Sequence, residues 1–138
     1  MMQFHGEYRW LSNFFLCRVE FEGLVFDTVE NAYQAAKCAN REDRARFQSI
    51  SAVQAKRLGR VIEMRSDWDD VKVAVMSNLL QQKFTQPWFR EKLLETGTME
   101  IVEGNGWRDM FWGVCIRTGK GKNTLGRLIM SIRDGLQS

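Results

Sequence analysis

The chain holds a single proline, Pro87, in 138 residues, and with it no proline-rich hinge at which to divide the polypeptide. It holds one histidine, His5, and three widely spaced cysteines, Cys17, Cys38 and Cys115, with no C-x-x-C pair. That supply argues against a zinc site, and an odd number of separated cysteines argues against a disulfide framework. No apolar run approaches the roughly 18 residues that a membrane span needs. No secretory apolar segment is evident either, so a reducing cytoplasmic setting is expected, with no membrane partner. Repeats, low-complexity tracts and linkers are all missing, which points to one domain over residues 1–138.

Aromatic residues, in contrast, are plentiful. Five Trp and nine Phe can furnish both a core and a surface on which a flat ligand stacks. A net charge of +3 favours phosphate-bearing partners, but the basic residues are dispersed among acids, which speaks against a dedicated nucleic-acid surface.

Local patterns give a mostly helical α+β fold with a small antiparallel β-sheet. Residues 1–15 show no helical period and read as an extended piece followed by a loop. Residues 17–26 alternate around Glu22-Gly23 and read as a hairpin. Helices follow over about 28–37, 40–47, 51–58, 68–84, 87–94 and 124–136. Their signals are caps at Asp27 or Thr28, Asn40, Ser51 and Asp67 and a first-turn Pro87. The longest is expected to bury Trp68, Val71, Val75, Leu79 and Leu80. A short strand is expected over 99–102, then a long polar loop over 103–123; loops of such length are usually functional.

Four places carry chemistry-bearing residues. On the helix at 28–37, Glu30, Gln34 and Lys37 share a face bordered by Tyr33, with alanines behind. That trio suits a polar site or a solvated surface. Gly119, Lys120, Gly121, Lys122 and Asn123 precede a helix and can cradle a phosphate, or form a basic turn with Asn123 as cap. Asp109 and Trp112, after Trp107, can bind a ribose hydroxyl and stack a base, or pack a loop. Ser12 and Asn13 can bind sugar while Phe14 packs.

The motifs gain specificity from their order: L-S-N-F at 11–14, E-N-A-Y-Q-A-A-K at 30–37, W-x-x-V-K-x-x-V-M at 68–76 and K-F at 83–84. Then come L-L-E-T-G at 93–97, I-V-E-G-N at 101–105, D-M-F-W-G at 109–113, G-K-G-K-N-T-L-G at 119–126 and L-I-M-S-I-R at 128–133. In this order they resemble the NADAR, or YbiA-like, family over nearly the whole chain. The resemblance implies N-glycosidase activity on a ribose C1–N bond. The substrate is ADP-ribosylated guanine, in DNA or nucleotide, or a small ribosylamine metabolite such as an early riboflavin-pathway intermediate. It implies neither cofactor nor metal, and leaves oligomeric state open. A non-catalytic ADP-ribose or nucleotide-binding module is the alternative.

Positive charge builds on the sugar as the bond breaks, so Glu30 is expected to stabilise it or to activate water. Lys37, partly desolvated, can instead attack C1 and pass through an imine. The two lie roughly 10 Å apart along a helix axis, within reach of one ribose. Asp109 is the expected acid for the leaving nitrogen. Substrate contacts are expected from Ser12, Asn13, Phe14, Asn31, Tyr33, Gln34, Trp107, Trp112, Gly113, Gly119, Gly121 and Asn123. One departure stands out: family members often carry His after the helix glutamate, where this chain has Asn31.

Overall fold

The structure, a computed structural model, describes residues 4–105 and 109–138. It is a mostly helical α+β arrangement in two compact units, one of Asn13–Lys83 and one joining the residues up to Ser12 with Phe84–Ser138.

The first unit begins with a hairpin, β1 (Val19–Phe21) against β2 (Leu24–Phe26), in the register Val19↔Phe26 and Phe21↔Leu24. Two residues then remain for the turn, and both Glu22 (φ 49°) and Gly23 (φ 80°) adopt positive φ. That is the twist a two-residue hairpin favours; glycine accepts it freely, whereas Glu22 is held in part by Arg41 Nη1, which donates to its carbonyl at 2.9 Å. On the outer edge of β1, the Gln82 side chain accepts from Glu20 N and donates to Glu20 O, both at 2.8 Å, much as a neighbouring strand would.

Helix α1 (Val29–Ala36) follows. All eight of its residues are buried, including Glu30, Asn31 and Gln34. The solvated-surface reading of this helix therefore fails. α2 (Arg41–Ala45) is capped by Asn40, whose side chain accepts from Asp43 N, and stops short of the expected Phe47. α3 (Ala52–Leu58) starts at Ser51 with a capping box, Ser51 and Gln54 each satisfying the other's backbone N–H. α4 (Trp68–Phe84) buries Trp68, Met76, Leu79, Leu80 and Lys83. Val71 and Val75, expected in that stripe, are only half-buried and border an open groove with Phe21.

In the second unit, residues 6–11 correct the expectation of an extended opening: Gly6–Leu11 forms a 3-10 helix that buries Trp10 and Leu11. A three-residue turn shows no 3.6-residue period, so the pattern hid it. Trp10 packs edge-on to Phe84, and Phe84 perpendicular to Phe89 of α5 (Pro87–Glu95). Pro87 takes the first helical turn of α5, where a missing N–H costs nothing.

Of the expected strand over 99–102, only a single bridge at Ile101 is present among the described residues. The strands are β3 (Gly104–Asn105) and β4 (Val114–Cys115), a parallel pair inside the expected loop. Asn123 donates to Ile101 O at 2.9 Å and accepts from Glu103 N at 2.9 Å, holding that segment from the side. α6 (Thr124–Gln137) buries Leu125, Ile129 and Ile132, and its buried Arg133 donates to Thr96 Oγ1 at 2.8 Å.

Candidate functional site

Helix α1 owes its position to its first turn. Thr28 stands at the N-cap in extended conformation, and its Oγ1 accepts from Asn31 N at 3.0 Å. Glu30 N, another amide that the helix cannot satisfy, donates to Asn13 O at 3.0 Å. Asn13 is thereby fixed beside Glu30, and its own side chain donates to Met76 Sδ at 3.6 Å.

The Glu30 side chain is buried to 7% exposure, and Gln34 Nε2, one turn on, donates to its Oε1 at 3.1 Å. Gln34 Oε1 and Asn13 Oδ1 are buried with no hydrogen-bond partner among the described residues. Gln34 backs onto Gly59, just past α3: a Cβ at that position would overlap Gln34 Oε1 and stand 2.7 Å from its Cδ.

Lys37 ends α1, half-buried, its Nζ 5.7 Å from the Tyr33 ring centre. Burial lowers its pKa from 10.5; Glu30 acts in the opposite direction, and the charges of Arg60 and Lys56 add to the lowering. An amine so placed is more often neutral than an ordinary lysine, hence a better nucleophile and, when charged, a better acid. Tyr33 rests against Trp68 at 5.2 Å. Phe14 is exposed, with Lys56 Nζ 6.0 Å from its ring centre.

Asn13, Phe14, Glu30, Asn31, Tyr33, Gln34 and Lys37 thus share one unit. Asn31 faces inward: its Nδ2 donates to Phe47 O at 2.9 Å and Ile50 O at 2.8 Å, and its Oδ1 accepts from Thr28 Oγ1 at 2.5 Å. Its side chain ties α1 to the connection between α2 and α3.

Sequence reasoning passed over three cations of this unit. Lys56 and Arg60 became visible only when α3 was packed against α1. Lys83, fully buried on α4, has its pKa lowered to about 7 by desolvation, with Cys17 opposing. Its signals in sequence were the K-F motif at 83–84 and its place in line with the buried stripe of α4. Cys38 is no rival nucleophile, since burial pushes its thiol up to about 11.

The other candidates belong to the second unit. Ser12 is half-buried and ends the 3-10 helix, its N–H donating to Arg9 O. Asp109 folds its own turn: Oδ1 accepts from Phe111 N at 3.2 Å and Trp112 N at 3.0 Å. Asn105 completes that turn, donating to Asp109 O and accepting from Asp109 N, both at 2.9 Å. Trp112 is half-buried against Phe111, their ring centres 4.9 Å apart.

Gly113 is buried, and a Cβ there would overlap Glu103 Oε2 and Glu103 O. Gly121 has φ 150°, and a Cβ there would overlap Gly113 O. Gly119 (φ 71°) stands in open space. Asn123 occupies the N-cap position of α6 in left-handed conformation, but its side chain makes no cap bond. A cavity of about 360 Å³ bordered by Val102, Ile116, Gly119, Gly121 and Asn123 lies in this unit. Trp107 lies outside the described residues.

Among the described residues, no three His, Cys, Asp or Glu come together as a metal site would need. No described helix is long and apolar enough to cross a membrane.

Comparison with known proteins gives this geometry a context. The family model described as the NADAR domain matches residues 2–137. The chain belongs to the NADAR family. The solution NMR structure of YbiA from Escherichia coli superposes with a TM-score of 0.85 at 33% identity, covering 99% of this chain and 84% of that one. A Nostoc punctiforme N-glycosidase is 36% identical over 95% of this chain and 87% of its own length. A riboflavin biosynthesis protein of Vibrio vulnificus is also 36% identical, over 96% of this chain. The NADAR chain spans only 36% of that Vibrio protein's length.

Proposed function

We propose that residues 1–138 act as one NADAR domain, an N-glycosidase that hydrolyses the C1–N bond of an N-linked riboside. The observation that carries this reading is the buried Glu30 carboxylate, held by Gln34 beside a lysine of lowered basicity. The single domain is supported by the span of the family match, and the activity by relatives that bear the name N-glycosidase.

In the water route, Glu30 takes a proton from water as its oxygen adds to C1 and the carbon–nitrogen bond breaks. Charged Lys37, the more acidic for its burial, returns a proton to the departing nitrogen. In the imine route, neutral Lys37 displaces the base at C1, the proton given up by its nitrogen passes to the departing nitrogen, the ring opens to an imine, and water then releases the sugar and restores the Lys37 amine. Glu30 serves either route by stabilising the positive sugar ring. Asn31 and Gln34 act as internal supports, given where their amides bond, while Asn13, Phe14 and Tyr33 border the sugar. Asp109 builds its turn; an acid role there is separable by Asp109→Asn, which keeps the amide-accepting oxygen.

The substrate is either ADP-ribosylated guanine, in DNA or nucleotide, or a phosphorylated ribosylamine of the riboflavin pathway. Relatives named for riboflavin biosynthesis support the second. Ser12 remains a proposed sugar contact, and Trp107, Trp112, Gly113, Gly119, Gly121 and Asn123 remain proposed contacts to base or phosphate. Three buried thiols suit a reducing cytoplasm.

A panel of N-ribosides, assayed for released base and free sugar, tests the function. Release from one class identifies it; tight binding of ADP-ribose without release from any member would make the chain a binding module instead.

A further inference from the structure

We infer that Gly59 is a positioning residue for the reaction: it fixes the Glu30 carboxylate by leaving room for the Gln34 amide. This rests on the reading of Glu30 as the reacting carboxylate. Gly59 follows α3 with φ −61° and ψ −18°, ordinary right-handed helical values that every residue adopts. Backbone conformation therefore does not demand glycine there. Space does. A Cβ would overlap Gln34 Oε1 and stand 2.7 Å from Gln34 Cδ, so the amide lies directly over the Gly59 backbone.

The amide's orientation is fixed at its other end. Nε2 donates to Glu30 Oε1 at 3.1 Å. A reversed amide would turn its carbonyl toward the carboxylate and lose that bond. The carbonyl oxygen is left facing Gly59, sealed from solvent and with no partner among the described residues. Such an oxygen cannot reach a substrate without rearrangement, so the work of Gln34 is done by its Nε2 on Glu30. α3 thus bears on the carboxylate through two contacts, Gly59 on the amide and the amide on Glu30. Adding one methyl group to Gly59 shifts both.

The test is a double-mutant cycle on the full chain with Gly59→Ala, Gln34→Ala and the pair. Two readouts are used: turnover of the riboside identified by the panel, and the Glu30 carboxyl pKa followed by side-chain carbon NMR. Gly59→Ala is expected to lower kcat about tenfold to a hundredfold, the usual scale for a displaced reacting group, with KM little changed. It is expected to raise the Glu30 pKa in the same direction as Gln34→Ala, because the hydrogen bond to the charged form is lost. In the Gln34→Ala background, Gly59→Ala is expected to change neither readout.

Additive losses in the pair, or a Gly59→Ala protein with normal kcat and normal Glu30 pKa, overturn the proposal. Should Gly59→Ala fail to fold, recovery of folding in the pair supports the clash with Gln34, and failure of the pair overturns it. The NMR readout stands apart from turnover: coupling of the two sites with no effect of Glu30→Gln on rate would keep the positioning and remove the catalytic role.

Discussion

Helix α1 and the loop over 103–123 both carry acids, amides and a lysine or glycine pattern that suggest ligand chemistry, yet their polar groups have different partners. In α1, Gln34 bonds to a carboxylate and Asn31 to carbonyls of another segment, leaving a buried Glu30 within electrostatic reach of the half-buried Lys37. In the loop, Asp109, Asn105 and Asn123 bond largely to backbone, and Gly113 and Gly121 are packed against backbone oxygens. Glycine and Asx residues mark close approach, but the approach can be to a ligand or to the chain itself. Under the proposed function the first region supplies the reacting pair, while the described amides and glycines of the second hold its own backbone together.

That contrast can be broken by variants that separate rate from stability. The largest effect is expected at Lys37. Lys37→Ala should lower turnover about a thousandfold, the loss typical of a proton-transfer or nucleophilic group, with an unchanged melting curve. In the imine route the wild-type rate should also rise with pH around a midpoint below 10.5, since burial lowers that amine. Borohydride reduction during turnover should then leave a sugar-mass adduct on Lys37. Absence of the adduct in an active enzyme selects the water route.

Gly113→Ala comes next and should act on stability. Its Cβ meets the Glu103 backbone oxygen, and overpacking against backbone costs about 3 kcal/mol in urea titration. A normal denaturation midpoint would show that the loop is not closed as described. Asn31→Ala should cost about 2 kcal/mol, because a buried carbonyl, of Phe47, and a partly buried one, of Ile50, lose their donor. If its loss appears in kcat instead, Asn31 has a part in the chemistry after all.

The smallest effect concerns Lys83. Burial holds its pKa near 7 in the folded chain, against 10.5 for an ordinary lysine, so above about pH 7 the unfolded state binds more protons. Stability should therefore rise with pH between 7 and 8.5, by at most about 1.4 kcal/mol per unit. Lys83→Met should flatten that slope. An equal slope in the variant would assign it to another group.

Much of α1 was legible because its signals are local: the Thr28 cap, the alanines, and three polar residues at helical spacing. What the sequence could not reveal was burial on all sides, because the second cover of the helix comes from α3, whose Gly59 lies 25 positions beyond Gln34. The same holds for Asn31, whose carbonyl partners are set by tertiary contact alone. In the loop, the Gly and Asn pattern was visible but its meaning was not. Asn123 reads as a helix cap in sequence, and only the approach of 101–103 diverts its side chain from that job. The 3-10 helix at Gly6–Leu11 was missed because so short an element has no period to detect.

The most direct test of this account sets one carboxylate of each region against the other. Initial rates of base release are compared for Glu30→Gln and Asp109→Asn, each first shown to be folded by circular dichroism. The account predicts a fall of about a thousandfold for Glu30→Gln and a change within about tenfold for Asp109→Asn. A near-normal Glu30→Gln enzyme beside an inactive Asp109→Asn enzyme would contradict it.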